Sequence, residues 1–340
     1  MTCRLGRMIS ALLLATSLFN EPVVAIKPHR LLFEDNYHTQ MSAADFKTVY
    51  HRVWEIVRDN HYNRLNLSDW AKWEHHFDEQ LDSRIALEKA LTKLLGTLND
   101  DYTFLANSAQ QAERESQIHS NHAVDSNVLD GSIGYLRLSN LYSDTLTEQV
   151  HTKLNEMPDV NGMILDLRGN HGGFVELARS LFEILADRGK FTSYTGYQDG
   201  RSEDVDMTLT DGTWEITKNG TTELEKRLYK PTTNKPLVIL VDRDTRSAAE
   251  MLAGALKQNH LATIIGQRTY GKGVLQDTYD LGDGLMLKVS TAQYFLPDGE
   301  SIHRTGINPD LIVRNPSSQD RQLSEAIAYL RNNRFQISAR

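Results

Sequence analysis

The chain has 340 residues, a formal net charge of −8 and 40% hydrophobic side chains. That length buries one large core with a smaller lobe beside it, and no basic cluster is long enough to track a phosphate backbone, which argues against nucleic acid as a partner. The single cysteine, Cys3, lies in the first segment, so the rest of the chain has no thiol for disulfides, thiolate catalysis or cysteine–zinc sites.

Residues 1–25 have the pattern of an export signal. Arg4 and Arg7 precede the apolar run Met8 to Leu18, and Val23-Val24-Ala25 stands before a cleavage point. The run is too short to span a bilayer comfortably, so no stable membrane insertion is expected after cleavage. The periplasm is the foremost destination, with the thylakoid lumen and the cell exterior as alternatives. Residues 26–105 are expected to form a helical lobe. Phe46, Val49, Val53, Ile56 and Val57 recur at helical spacing over 42–60, Trp70, Trp73 and Phe77 over 68–80, and Ile85, Leu87, Leu91, Leu94, Leu95 and Leu98 over 83–98. Residues 106–131 are polar and patternless, as a linker is. Glu115, His119, His122 and Asp125 there, like His51, His61, His75 and His76 in the lobe, show no spacing that fixes a metal geometry, so neither a metal nor a cofactor is expected.

The major domain is expected over 132–340. SIGYLRL (132–138) is a strand, 144–156 a helix, GMILDL (162–167) a second strand, RGNHGG (168–173) a turn, and 174–186 a helix. The rhythm returns at 236–259 and in the strand ATIIG. Short, β-branched, apolar runs such as MILDL, LVILV and ATII suit parallel strands buried on both faces. Between these units, Asp-Gly pairs at 199–200 and 211–212 predict hairpins. Gly282-Asp283-Gly284 predicts another, 297–310 reads as loop, and a last helix is expected over 322–333.

The stretch from 236 to 276 carries the chemistry. Ser247 follows the apolar strand LVILV and opens the helix AAEMLAGAL, so its side chain stands at a strand's carboxyl end and the Ala248 amide faces outward at a helix N-terminus. A serine hydroxyl needs a base. Lys272, flanked by Gly271 and Gly273, can serve if its reference pKa of about 10.4 is brought well down by burial. Gln276 can hold that amine without adding charge. Gly172 and Gly173 offer backbone amides for an oxyanion. Glu250 reads either as a group orienting the lysine or as a capping-box glutamate for Ser247. Ser247 alone is also an ordinary N-cap, and Lys272 alone an ordinary loop lysine. Asp166 and Arg168 are expected to fasten the turn by an ion pair. GQRTYGK at 266–272 matches most of a phosphate-binding loop, but Gly273 stands where a Ser or Thr should meet Mg²⁺ and a strand follows where a helix should. Neither His-Glu-x-x-His nor Gly-x-Ser-x-Gly occurs.

These segments resemble the S41 serine peptidases, the C-terminal processing or tail-specific proteases. TLNDDYTFL (97–105), IGYLRL (133–138), DLRGNHGG (166–173), RSAAEMLAGAL (246–256), IIGQRTYGKGVLQ (264–276) and TAQYFLPDGESIHRTGINPD (291–310) occur in the family's order. The resemblance implies an α/β fold with a crotonase-like, ClpP-related β/α spiral core. It implies Ser247 as nucleophile, Lys272 as general base, Gln276 as its support, and Gly172, Gly173 and Ala248 as the oxyanion region. It also implies a polypeptide substrate, cut near its C-terminus in relatives, and no cofactor. Relatives usually carry a PDZ domain between lobe and core. Here residues 106 to 132 alone separate TFL from IGYLRL, too few for a domain of roughly 80–100 residues. Relatives also often have a further serine at the position of Ala249. Two rival expectations are a catalytically silent peptide- or lipid-binding scaffold and a Ser–Lys amidase acting on small amides.

Overall fold

A computed structural model describes residues 43–109, 123–157, 159–231, 235–316 and 318–332. The expected export signal lies outside these residues, as do Glu115, His119 and His122. The first helix is α1 (Ala43–Asn60). The helix α2 (Arg84–Gly96) is capped by Ser83, whose hydroxyl accepts the Ala86 amide at 3.3 Å. Between them the expected helix over 68–80 is replaced by three 3-10 turns, Arg64–Leu67, Trp70–Trp73 and Asp78–Gln80. The reason is competition for carbonyls. The Trp70 carbonyl accepts the Trp54 indole N–H at 3.0 Å, and the Trp73 carbonyl accepts the Tyr50 hydroxyl at 2.5 Å. Those carbonyls would otherwise serve an α-helical ladder, and the step of three from Trp70 to Trp73 suits a 3-10 turn equally well.

Six strands make a mostly parallel sheet: β2 (Val124–Leu129), β3 (Ile133–Leu138), β4 (Gly162–Asp166), β9 (Leu237–Val241), β10 (Ala262–Gly266) and β13 (Leu311–Ile312). From β3 onward the parallel neighbours follow chain order, β3-β4-β9-β10-β13. Each β/α step therefore advances one strand in the same direction, as the expected spiral requires. The connecting helices are α3 (Leu146–Asn155), α4 (Val175–Leu185) and α5 (Ala248–Gln258). Strand side chains alternate between two cores. Met163, Leu165, Ile239 and Val241 face α3–α5, while Ile164, Val238, Leu240 and Ile265 pack under the terminal helix α6 (Arg321–Asn332). Burial on both faces explains why these strands show no polar alternation. β2 was not visible in the patternless stretch because four of its six residues are exposed, as suits an antiparallel edge strand.

The second sheet is antiparallel and contains β1 (Phe104–Asn107), β5 (Gly189–Gln198), β6 (Arg201–Thr210), β7 (Thr213–Lys218), β8 (Thr221–Lys226), β11 (Val274–Gly282) and β12 (Leu285–Phe295). The Asp-Gly pairs at 199–200 and 211–212 turn the expected hairpins, each aspartate holding positive φ, and Asn219-Gly220 turns a third. The lobe is not free-standing. Tyr50, Val53, Leu91, Leu94 and Leu98 share one core with Leu281, Leu285, Leu287 and Val289 of β11 and β12. No helix among the described residues is long and apolar enough to cross a membrane.

Candidate active site

The turns that follow β4 and β9 are tied together before either reaches its functional residue. The Asp242 carboxylate accepts the Gly169 and Thr245 amides, both at 3.0 Å, and the Thr245 hydroxyl donates to the Leu167 carbonyl at 2.9 Å. The Arg246 amide donates to the Asn170 carbonyl at 3.0 Å. The next residue, Ser247, is half-buried at the head of α5 with φ 58° and ψ −128°. A side chain rarely adopts positive φ, and such strain persists only where the surroundings over-determine it. Tyr294 supplies part of that constraint by donating its hydroxyl to the Ser247 carbonyl at 3.1 Å. Burial pushes the Tyr294 phenol well above its ordinary value, with the Glu250 charge adding to the effect.

Glu250, fully buried one turn into α5, links the two halves of the site. Its Oε2 accepts the Ser247 amide at 2.9 Å and the Lys272 amide at 2.9 Å. The two nitrogens therefore lie within twice that distance of each other. Its Oε1 accepts the Thr269 hydroxyl at 2.5 Å and the Gly271 amide at 2.8 Å. Burial raises the carboxyl pKa, and the four hydrogen bonds pull against that rise. The two readings of Glu250 merge: it caps the serine's turn and orients the lysine's loop. The glycines beside Lys272 permit close approach of the 303–306 backbone. A Cβ on Gly271 would stand 2.8 Å from the Gly306 nitrogen, and one on Gly273 would stand 2.6 Å from the His303 nitrogen.

At the tip, Lys272 Nζ donates to Gln276 Oε1. Gln276 Nε2 in turn donates to the Tyr102 carbonyl at 2.5 Å, which fixes which end of the amide meets the lysine. The Tyr102 ring also lies over the amine, 5.3 Å from its centre. Tyr102 is the member of this cluster that sequence reasoning missed. The segment NDDYTFL was visible, but the group used is a main-chain carbonyl, which any residue carries.

Asp100 holds that carbonyl in place. Its carboxylate accepts the Tyr102 amide at 3.0 Å and the Thr103 hydroxyl at 2.6 Å, and pairs with the buried His61 ring at 3.2 Å. Burial raises the Asp100 pKa, but the hydrogen bonds outweigh burial and bring it down to about 2. A carboxylate depressed on folding stabilises the protein above its unfolded value of 3.8, and that contribution is lost as pH falls through about 2. Asp100→Asn is therefore expected to cost about 2 kcal/mol at pH 7, from roughly 1.4 kcal/mol per pH unit of displacement. Urea unfolding from pH 7 downward should show the gap between parent and variant closing below pH 4. A constant gap across that range would remove Asp100 from this role.

Gly172 and Gly173 lie against the serine's turn. A Cβ on Gly172 would meet the Arg246 carbonyl at 2.7 Å, Ser247 Cβ at 2.9 Å and the Ala248 nitrogen at 3.0 Å. Gly172 also has φ +82°, a second reason for glycine. Its amide donates to Asn170 Oδ1 at 2.8 Å, so an oxyanion would have to compete with that side chain for the Gly172 N–H. Ala248, as the first residue of α5, contributes an N–H with no intrahelical acceptor. Gly173 bridges Leu141 through its neighbours: Leu141 donates to the Gly172 carbonyl and Phe174 donates to Leu141, leaving the Gly173 N–H outside that exchange. Asp166 and Arg168 bond elsewhere. Arg168 pairs with Asp166 at 2.5 Å and Asp320 at 2.7 Å, Tyr135 donates to Asp166 at 2.7 Å, and the group anchors the start of α6. Burial opposes the Arg168 charge, but its two carboxylate partners raise its pKa overall. The segment GQRTYGK joins β10 to β11 with no helix after it, so it lacks the N-terminus a phosphate loop needs.

The family model of peptidase family S41 matches residues 132–313. A carboxyl-terminal-processing protease of Synechocystis sp. is 34% identical over 187 residues, covering 54% of this chain and 39% of that protein. The carboxy-terminal processing protease CtpA of Bacillus subtilis is 32% identical over 195 residues, covering 57% of this chain and 37% of the relative. The matches thus span less than half the length of these relatives. The solved structure of a photosystem II D1 C-terminal processing protease superposes with a TM-score of 0.62 at 20% identity, covering 84% of this chain and 97% of the other, a likeness of fold. The family match covers more than half of the sequence and includes both the serine's strand–turn–helix and the glycine-flanked lysine loop, and by it this chain belongs to peptidase family S41.

Proposed function

We propose that the chain is a serine endopeptidase in which Ser247 is the nucleophile, Lys272 the general base and Gln276 the group that orients the base. The observation that carries this assignment is the Glu250 carboxylate, one oxygen of which holds the amides of both Ser247 and Lys272. A shared acceptor fixes two loops far apart in sequence to one point, and Gln276 aims the amine from a second anchor. A neutral amide beside the lysine suits a base, because a carboxylate there would favour the charged ammonium.

In the proposed reaction Ser247 Oγ attacks the scissile carbonyl carbon while Lys272 Nζ takes the hydroxyl proton. The carbonyl π electrons move to oxygen, which receives the Ala248 and Gly173 N–H groups. Collapse of the tetrahedral adduct breaks the C–N bond, and Lys272 returns the proton to the leaving amine. Water then attacks the acyl carbon while Lys272 takes its proton; collapse of this second adduct breaks the C–Oγ bond, and Lys272 returns the proton to Ser247 Oγ as the new carboxyl terminus leaves. The substrates are extended or unfolded exported polypeptides, bound by strand addition, with cleavage near the C-terminus as the relatives' names describe for those proteins. No cofactor takes part in these steps. We assign residues 26–105 to a helical lobe and 132–340 to the peptidase core; of the stretch 106–131 between them, Val124–Leu129 adds an edge strand to the core sheet, and the whole is too short for a PDZ domain. The chain acts after export, foremost in the periplasm.

A serine-reactive phosphonate tests the assignment. Incubation with the protein followed by peptide mapping should place the adduct on Ser247. An adduct on another serine, or none after prolonged exposure, would overturn it.

A further inference from the structure

A second cluster of chemically capable side chains stands in the lobe, on the outer side of α1. His51 projects from α1, His75 comes from the turn that follows Trp70–Trp73, and Asp78 opens the next 3-10 turn. The two carboxylate oxygens of Asp78 are divided between the rings: Oδ1 lies 2.9 Å from His51 Nε2 and Oδ2 lies 3.1 Å from His75 Nδ1. The ring centroids are 4.8 Å apart, and one ligand atom from each of the three residues can be chosen so that all lie within 4.8 Å of one another. Both elements are held rigidly beside the cluster. Trp54 and Trp70 exchange indole-to-carbonyl hydrogen bonds, each at 3.0 Å, and Tyr50 donates to the Trp73 carbonyl.

We propose that His51, His75 and Asp78 bind a divalent first-row metal ion of the zinc class, fastening the 3-10 segment to α1. Two imidazoles and a carboxylate suit zinc better than magnesium or calcium, which prefer all-oxygen sites. Bonds of about 2.0 Å in a tetrahedron place ligand atoms about 3.3 Å apart, a separation inside the range these atoms already span. The adjustment falls on His75, the most exposed of the three at 69%, while His51 and Asp78 are about a quarter exposed. Water or Glu74, whose carboxylate lies 4.0 Å from His75 Nε2, completes the coordination. Lys47 and Arg52 border the same face, but Lys47 is paired at 3.9 Å with Glu79. The site is independent of the peptidase chemistry, although it braces the lobe whose loop holds Gln276.

The test uses the tag-free full chain stripped with a chelator and then titrated with Zn²⁺ against a chromophoric competitor. The parent should bind one equivalent with micromolar or tighter affinity and rise in melting temperature, while Mg²⁺ and Ca²⁺ leave it unchanged. His75→Asn keeps a side-chain N–H where Nδ1 stands, so it preserves the bond to Asp78 while removing a strong ligand. It should melt like the metal-free parent, bind Zn²⁺ at least about 10-fold more weakly, and lose the zinc-induced rise. His51→Gln should weaken binding in the same way. Equal Zn²⁺ affinity in parent and His75→Asn, or no site in the parent tighter than about 100 μM, would overturn the proposal and leave Asp78 as a hydrogen-bonded bridge between two histidines.

Discussion

Lys272→Ala is expected to lower the hydrolysis of denatured casein by about 10²- to 10⁴-fold, the range that loss of a positioned base produces. Ser247→Ala should lower it to background, because no other hydroxyl replaces the one that must carry the acyl group. The double variant should be no worse than Ser247→Ala, since nucleophile and base act as a unit and their losses do not add. Both residues are half-buried and neither lies in the apolar cores, so melting temperatures should stay close to the parent's. Serine removal also relaxes nothing in the backbone: alanine inherits the same φ of 58° and the same amide bond to Glu250. Initial rates on casein, with circular dichroism as the control for folding, decide the matter. Parent-like turnover in either single variant would end the dyad assignment.

Glu250→Gln is expected to lose about 10²-fold in kcat with KM little changed, together with about 2–3 kcal/mol of stability. The carboxylate accepts from four donors, two at each oxygen. An amide has only one acceptor end, so its NH₂ must confront two donors. The less damaging orientation puts the NH₂ towards Thr269, whose hydroxyl can rotate, and leaves the Gly271 amide unpaired in a buried place, a cost of about 1–3 kcal/mol. The kinetic loss follows because Gly271, driven off by the NH₂, is bonded in sequence to Lys272 and shifts it, and displacing a reacting group by about 1 Å can cost 10²-fold. Glu250→Asp should not rescue it, because the shorter side chain cannot reach both loops. Steady-state kinetics and urea unfolding on the same preparations separate the two effects. A variant that loses stability but keeps the parent kcat would make Glu250 a packing residue with no part in positioning.

The strand–turn–helix around Ser247 was legible because three signals coincide there: an apolar run, a polar turn and a small-residue helix. Lys272 and Gln276 were legible as a glycine-flanked cation with an amide four residues on. What stayed hidden was mostly main chain. The Tyr102 carbonyl leaves no trace in residue identity, and neither does the occupancy of the Gly172 amide, which depends on Asn170 folding back two residues. The strain at Ser247 is likewise a property of the turn, not of serine. The segment 64–80 misled for another reason: Trp70 and Trp73 satisfy helical and 3-10 periodicities alike, and side chains from α1 decide between them. His75 and Asp78 stand three residues apart, but His51 lies in α1, so only the fold brings the third member to the other two.

The anchor for Gln276 comes from residue 102, whereas the span recognised as family S41 begins at residue 132. The matched region therefore contains the proposed nucleophile and base but not the residue whose carbonyl holds Gln276. Trimmed to that region, the chain would keep its alcohol and amine and forfeit the latch on the amide between lobe and core. If Gln276 aims the base as proposed, competence belongs to the docked lobe as much as to the core, and loosening the loop from Asn99 to Thr103 would silence a chemically intact centre.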